Sequence, residues 1–437
     1  MTAANGEWLV DVTELIVLDL RTGIQRVVQE VVHHGIAAGL RVTPVIAVGG
    51  HFHRLNAAGI ERMQRPSIGV AERRITHEKN VPAAIRLLKR AAKPFPGLYN
   101  ALQRRWISFL TGRRARGYYE PERIAWGPTS RLILIDSFWG GASTLKATRR
   151  ARAAGAAIVL VVYDLIPMTH PQFCDARLVS KFEPLMGEAI GLSNGVLGIS
   201  EFAAASVREA FAPAVPVGSF RLGHDLRDAS KPVDPSTYPA ALWGGAAPVF
   251  VIVGSVEPRK GHRAVLDAFE QRWAAGGQEK LVILGKVGWD VDDLMDRIDH
   301  HPERDRRLFH LFGANDATLA DVLRRADGAI IASYVEGFGL PLVEALAAGL
   351  PVIAADIPVF REIADGAVRF FRVGDPVSLA EAIEEVGASP VPWRERAAGF
   401  AWPNWAAAAA DFYRQADAIA GGGAAAAQTK SLERTPA

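Results

Sequence analysis

Short, continuous apolar runs recur along this chain and alternate with stretches whose apolar positions repeat at the helical period. In the first half the continuous runs are "WLVDV", "LRVTPVIAV", "RLILID", "AAIVLVVYD" and "GVLGIS". Segments such as "TGIQRVVQEVVHHGIAAG" and "EFAAASVREAF" lie between them and carry the amphipathic helical pattern. Their alternation predicts βαβ units in a parallel sheet. A polar interval rich in Pro and Gly, "HDLRDASKPVDPSTYPAALWGGAAP", then interrupts the series and reads as a linker. The alternation resumes with "VFVIVGS", "KLVILGK", "RLFHLF", "GAIIAS" and "LPVIAA". The expected architecture is α/β, with two doubly wound, Rossmann-like domains at 1–230 and 248–400 joined by a linker at 231–247. Such sheets bind ligands at the carboxyl ends of their strands, so two of them facing each other make a deep cleft. Residues 401–420 are expected to form a C-terminal helix packing back on the N-terminal domain, and 421–437 a disordered tail.

Composition narrows the class. The 437 residues are 49% hydrophobic and 22% charged, as in an ordinary globular protein. No apolar run approaches the roughly 18 residues needed to span a bilayer. The N-terminus "MTAANGEWLVDVTEL" lacks the basic and apolar regions of a secretory signal. The single cysteine, Cys174, excludes an internal disulfide framework and a Cys-based zinc site. The expected location is cytoplasmic. Net charge is only +3, but it is uneven: residues 80–119 carry nine Lys or Arg and no Asp or Glu. This basic stretch lies in an insertion at about 55–130, and interleaves Trp106, Phe109 and several Leu residues with its cations. Such a pattern suits a helix pair on an anionic membrane surface, peripheral on its inner face. It equally suits an insertion packed on the N-terminal domain with a solvated basic face. It carries no nucleic-acid-binding module, so no nucleic-acid partner is expected.

The candidate chemistry sits in "EGFGLPLVEALAAGLPVIA", from Glu336 to Ala354. A strand should end near Ser333, and Pro341 should take the first position of a helix, where a missing N–H costs nothing. Gly337 and Gly339 leave room for a ligand to approach the backbone. The N–H groups of Phe338, Gly339 and Leu340 would then be free donors at a positive helix end, which suits phosphate. Glu336 precedes this cradle and Glu344 falls on the first turn of the helix. Carboxylates accept hydrogen bonds from vicinal hydroxyls, so the spacing suits a nucleotide sugar; both glutamates could instead merely favour the helix dipole. In "VFVIVGSVEPRKGHRAVLDAF", a buried strand and a turn at Gly254 lead to Arg259 and Lys260 before a second helix. Without a metal, paired cations and helix-end amides must stabilise a leaving diphosphate. Gly23, in "RTGIQRVV", opens the first long helix and could meet the same diphosphate from the other wall; an ordinary tight turn would look the same.

"GSVEPRKGH" and "SYVEGFGLPLVEALAAGLPVIAADIPVFREI" resemble the family 4 retaining glycosyltransferases of GT-B fold. Their hallmark of a Glu, seven residues and a second Glu is met by Glu336 and Glu344. The likeness is dense from Val249 to Phe371. In the first half, "DVTELIVLDLRTGIQRVVQEV" and "VVYDLIPMTHPQF" resemble a subgroup that includes bacterial polysaccharide and O-antigen mannosyltransferases. The resemblance implies that Arg259 and Lys260 hold the donor diphosphate, that Glu344 takes the ribose hydroxyls, and that Glu336 contacts the transferred sugar. Backbone at Phe338, Gly339 and Leu340 would lie near sugar and phosphate, with Gly23 facing the β-phosphate. Many members place a histidine at the end of a middle N-terminal strand; here that place reads Tyr163-Asp164, which makes Asp164 a candidate beside the reacting carbon, with a strand-end cap as the alternative. The function implied is a retaining hexosyltransferase moving mannose from GDP-mannose to a glycan or lipid-linked acceptor, with no metal or other cofactor. A UDP-sugar donor and a non-catalytic glycan-binding scaffold are the alternatives. The pair Asp290 and Asp292 resembles a metal-binding D-x-D, but its place at a helix start predicts N-capping. His51 and His53 read as strand neighbours with nothing to complete a metal site.

Overall fold

A computed structural model describes residues 6–18, 22–65, 113–140, 142–225, 233–312 and 316–421. Most of the basic stretch 80–119, and the tail beyond 421, lie outside the described residues.

The first sheet has eight strands: β1 (Trp8–Asp11), β2 (Val42–Val48), β3 (His51–Leu55), β4 (Tyr119–Arg123), β5 (Arg131–Leu134), β6 (Ala157–Val162), β7 (Gly195–Gly198) and β8 (Val217–Ser219). Their order is β4-β3-β2-β1-β5-β6-β7-β8. The second sheet has six: β9 (Val249–Val253), β10 (Lys280–Leu284), β11 (Leu308–Leu311), β12 (Gly328–Ile331), β13 (Val352–Ala355) and β14 (Arg369–Phe371), in the order β11-β10-β9-β12-β13-β14. The second sheet is wholly parallel. The first is not, because β3 pairs antiparallel with both β2 and β4. The hairpin is closed by Gly49 and Gly50, both at positive φ. A two-residue turn permits only antiparallel pairing.

Parallel strands covered on both faces need apolar side chains throughout. β9, β10, β12 and β13 meet that need, with Phe250, Val251, Leu281, Val282, Ile330 and Ile353 almost wholly buried. Strand order reverses between β1 and β5 in the first sheet and between β9 and β12 in the second. At such switch points the connections leave in opposite directions and open a crevice. The segments that follow β1, β5, β9 and β12 therefore decide what the cleft can do.

Residues 233–247 are packed rather than free. Lys280 Nζ donates to the carbonyls of Ala241, Leu242 and Gly244. The Tyr238 hydroxyl donates to Asp321 at 2.8 Å. The helix Trp405–Ala420 returns to the first sheet. Its Trp405 and Phe412 are fully buried, and Tyr413 donates to the Val31 carbonyl at 3.2 Å. Each such side chain contributes about 1.5–3 kcal/mol on burial. The two chain crossings between the sheets lie side by side. His224 pairs with Asn404 as a parallel bridge, its N–H reaches the Pro403 carbonyl at 3.2 Å, and Trp402 Nε1 donates to the Leu222 carbonyl at 2.7 Å.

Candidate functional site

Beyond β9 the chain turns at Gly254, and Pro258–Lys260 form one turn of 3-10 helix. Gly261 follows at φ 74°. A Cβ there would sit 2.2 Å from the Ala332 carbonyl oxygen, so only glycine lets this turn lie against the end of β12. The Tyr334 N–H donates to the Arg259 carbonyl at 2.9 Å. These contacts set Arg259 and Lys260 beside the loop Tyr334–Gly339.

Glu336 organises that loop. Its Oε2 lies 2.7 Å from Arg259 Nη1, and its Oε1 accepts from Lys260 Nζ at 2.5 Å and from the Ser333 hydroxyl at 2.8 Å. Burial alone would raise its pKa, but Lys260 and Arg259 outweigh burial and hold it at about 2. The carboxylate is therefore ionised at every working pH and keeps two cations in fixed positions. Arg259 also donates to the Val335 carbonyl at 3.0 Å. Burial would lower its pKa; Glu336 and Glu257 reverse that and raise it. A small cavity lined by Ile252, Lys260, Ser333, Glu336, Gly339 and Pro341 lies within this group.

The helix Leu340–Ala347 begins one residue earlier than the sequence suggested. Pro341 is its second residue, and Glu344 starts the second turn rather than lying on the first. Gly339 precedes it at φ 120°. The Phe338 side chain is buried and packs edge-on against Trp402.

The opposite wall comes from the first sheet. Gly337 presses on the end of β6: a Cβ there would meet the Tyr163 carbonyl oxygen at 2.0 Å. The Ser200 hydroxyl donates to the Gly337 carbonyl at 2.7 Å. Asp164 Oδ1 accepts from the Ile166 N–H at 3.0 Å, so the capping geometry is present. Burial raises its pKa, with the Ile166 N–H and Arg259 opposing and Glu336 reinforcing. Phe173 lies against Tyr334 across the cleft, with ring centroids 5.5 Å apart. Glu362 accepts from the Glu201 and Phe202 N–H groups at 2.8 and 2.7 Å, placing a carboxylate on a helix N-terminus of the other domain.

Gly23 is the first residue of the helix Gly23–Ala37. Thr22 N–H reaches Gln25 Oε1 at 3.3 Å, and Gln25 Nε2 donates to Asp136 Oδ1 at 3.2 Å. Asp136 also accepts from the Leu15 N–H at 2.7 Å. Asp11 and Glu14 lie beside it, all three buried. Burial, reinforced by Asp136, pushes both Asp11 and Glu14 up to about 8. One turn into the same helix, Arg26 pairs with Glu344 across the cleft and donates to the Asp225 carbonyl at 3.2 Å.

The structure thus brings together Gly254, Arg259, Lys260, Glu336, Gly339 and Leu340, sets Asp164 against them, and places Glu344 and Gly23 at the facing switch points. Sequence reasoning missed Arg26, Ser200 and the acidic group under Gly23. A cation one turn beyond a glycine turn was the available signal for Arg26. Neither Asp290 nor Asp292 takes the cap position: Val291 holds it, Asp290 sits at φ 54°, and Asp292 is already helical.

Residues 240–398 match the family described as Glycosyl transferases group 1. The chain is 39% identical over 246 residues to the serotype-specific mannosyltransferase WbdA of Escherichia coli, a match spanning 54% of this chain and 30% of that protein. It is 23% identical over 260 residues to the O-antigen chain mannosyltransferase B of the same organism, spanning 56% of this chain and 67% of that protein. A sucrose-phosphate synthase from Thermosynechococcus elongatus shares the fold at TM-score 0.57 and 17% identity, over 94% of this chain and 98% of that one. The architecture is GT-B.

Proposed function

We propose, on the match of residues 240–398 to the family described as Glycosyl transferases group 1, that the chain is a retaining hexosyltransferase of bacterial surface polysaccharide synthesis. It moves mannose from GDP-mannose to a glycan or lipid-linked acceptor. The observation that carries this reading is the Glu336 carboxylate holding Arg259 and Lys260 beside a glycine-bounded helix start at a strand-order reversal. The relatives named as mannosyltransferases support the sugar.

In this reading Arg259 and Lys260 take the negative charge that grows on the leaving diphosphate, without a metal. The N–H groups of Phe338, Gly339 and Leu340 add helix-end donors. Glu344 accepts from the ribose diol, and Glu336 lies against the transferred sugar while keeping both cations in place. Gly23 lets the N-terminal wall approach the β-phosphate. Asp164 faces the anomeric carbon. The acceptor oxygen attacks from the face the diphosphate leaves; the C1–O bond to phosphate breaks as the new C1–O bond forms. The leaving phosphate takes the acceptor proton, so configuration is retained. Residues 80–119 hold the protein at an anionic membrane surface where a lipid-linked acceptor resides; among the described residues no helix is long and apolar enough to cross a membrane.

The test is a thermal-shift panel of GDP, UDP, ADP and dTDP, followed by transfer assays with and without EDTA. A bound nucleotide at a hundredfold excess over its Kd stabilises the fold by about 2.7 kcal/mol. GDP alone should do so, with transfer surviving EDTA. A response to UDP alone replaces the donor, and strict metal dependence sinks the metal-free mechanism. Binding without hydrolysis or transfer favours the scaffold reading.

A further inference from the structure

We propose that Arg26 is a positioning residue for the donor: it fixes the Glu344 carboxylate from the opposite side of the cleft and ties domain closure to capture of the ribose. The inference rests on the donor reading above. Glu344 is 3% exposed, and a carboxylate so enclosed needs a charged or hydrogen-bonded partner. That partner comes from the other domain: Arg26 Nη1 donates to Glu344 Oε1. Among the described residues Oε2 accepts no hydrogen bond, and is left to a ligand hydroxyl. The second arm of the guanidinium, Nη2, donates to the Asp225 carbonyl beside the chain crossing. Arginine's planar fork spans both acceptors at once; the single ammonium of lysine does not.

The backbone under Arg26 is equally fixed. Asp136, just beyond β5, holds Gln25 through its side-chain amide, and Gln25 closes on Thr22 at the start of the helix. Arg26 therefore moves with the first sheet and Glu344 with the second. When the two sheets approach, the pair forms and aims the carboxylate. When they separate, Glu344 loses both its charge partner and its orientation. Ribose binding and closure are then two faces of one equilibrium, each favouring the other by the same coupling.

The test uses the full chain and whichever nucleoside diphosphate the wild type binds. Calorimetry measures the affinity of wild type, Arg26→Ala, Arg26→Lys, Glu344→Ala and the Arg26→Ala/Glu344→Ala double variant. Loss of one charged hydrogen bond should weaken Arg26→Ala by about tenfold to a hundredfold. Arg26→Lys, which keeps the charge and guards against misfolding of the alanine variant, should recover only part. The double variant should bind no worse than Glu344→Ala, since both act through one carboxylate. Donor KM should rise more than kcat falls in Arg26→Ala, a split that a purely structural role would not produce. Wild-type affinity in Arg26→Ala, or additive losses in the double variant, would overturn the proposal. A wild type that binds no nucleoside diphosphate overturns the donor reading itself, and this inference with it.

Discussion

At the scale of single residues, the site sets charges against one another at short range. Glu336 is held ionised by the cations it in turn immobilises. In the proposed donor reading Lys260 takes the charge of the leaving diphosphate, so Lys260→Ala should lower kcat by about a hundredfold or more, the usual cost of removing one preorganised donor; a loss below threefold in steady-state transfer would remove Lys260 from the reaction. Its neighbour His262 is buried and adds no charge there: burial first, then Lys260 and His310, push its pKa down to about 3. The acids under Gly23 behave in the opposite sense to Glu336. Asp11 and Glu14 have folded-state pKa values of about 8, so between their ordinary range near pH 4 and pH 8 the folded chain holds protons that the unfolded chain has released. These two groups therefore make stability fall as pH rises through that window and level off above it. Glu336 acts the other way, and its contribution is lost as pH drops from about 4.5 toward 2. Melting temperature recorded across this range should decline from mildly acid to alkaline pH, and Asp11→Asn should flatten the decline. A wild-type curve that rises through neutrality would contradict the assignment.

At the scale of elements, the strands that could be read from sequence are those buried on both faces, because burial demands an unbroken apolar run. β9, β10, β12 and β13 show it plainly. β4, "YEPER", is exposed along much of its length at a sheet edge, and edge position imposes no apolar signal. The three-residue β8 and β14 are too short to carry a period. The site was legible where backbone demands fix residue type, as at Gly337 and Gly339, and where a cationic pair follows a strand and turn, as at Arg259 and Lys260. It was illegible where function depends on contacts between domains: nothing in the local pattern around Arg26 or Ser200 says which distant carboxylate or carbonyl it will meet. Gly337 shows the same rule from the other side. Its loop is seated directly on the Tyr163 carbonyl, so Gly337→Ala must displace one wall from the other. Misplacement by about 1 Å costs on the order of a hundredfold in rate. We expect a loss of that order in kcat/KM together with a larger radius of gyration by solution scattering. Full activity in this variant would mean that the two walls need not touch.

At the scale of the whole molecule, the membrane proposal makes its own prediction. Each Lys or Arg near an anionic surface contributes about 1 kcal/mol, screened by salt. The protein should co-sediment with anionic but not neutral vesicles, less so as salt rises. Replacing Arg104, Arg105, Arg113 and Arg114 with Glu should abolish this and leave nucleotide binding intact. If wild type ignores anionic vesicles at low salt, the stretch is a packed insertion and the acceptor is soluble. The two domains are joined by two crossings that lie side by side, bonded at His224 and Asn404 and pinned by Trp402 on Leu222. One tether lets a body swivel freely; two tethers laced together act as a door with two hinge pins, open to a swing but closed to a twist. On such a hinge the proposed closure would carry the lips along one arc, and Arg26 with Glu344, and Ser200 with Gly337, would arrive opposite each other without a search.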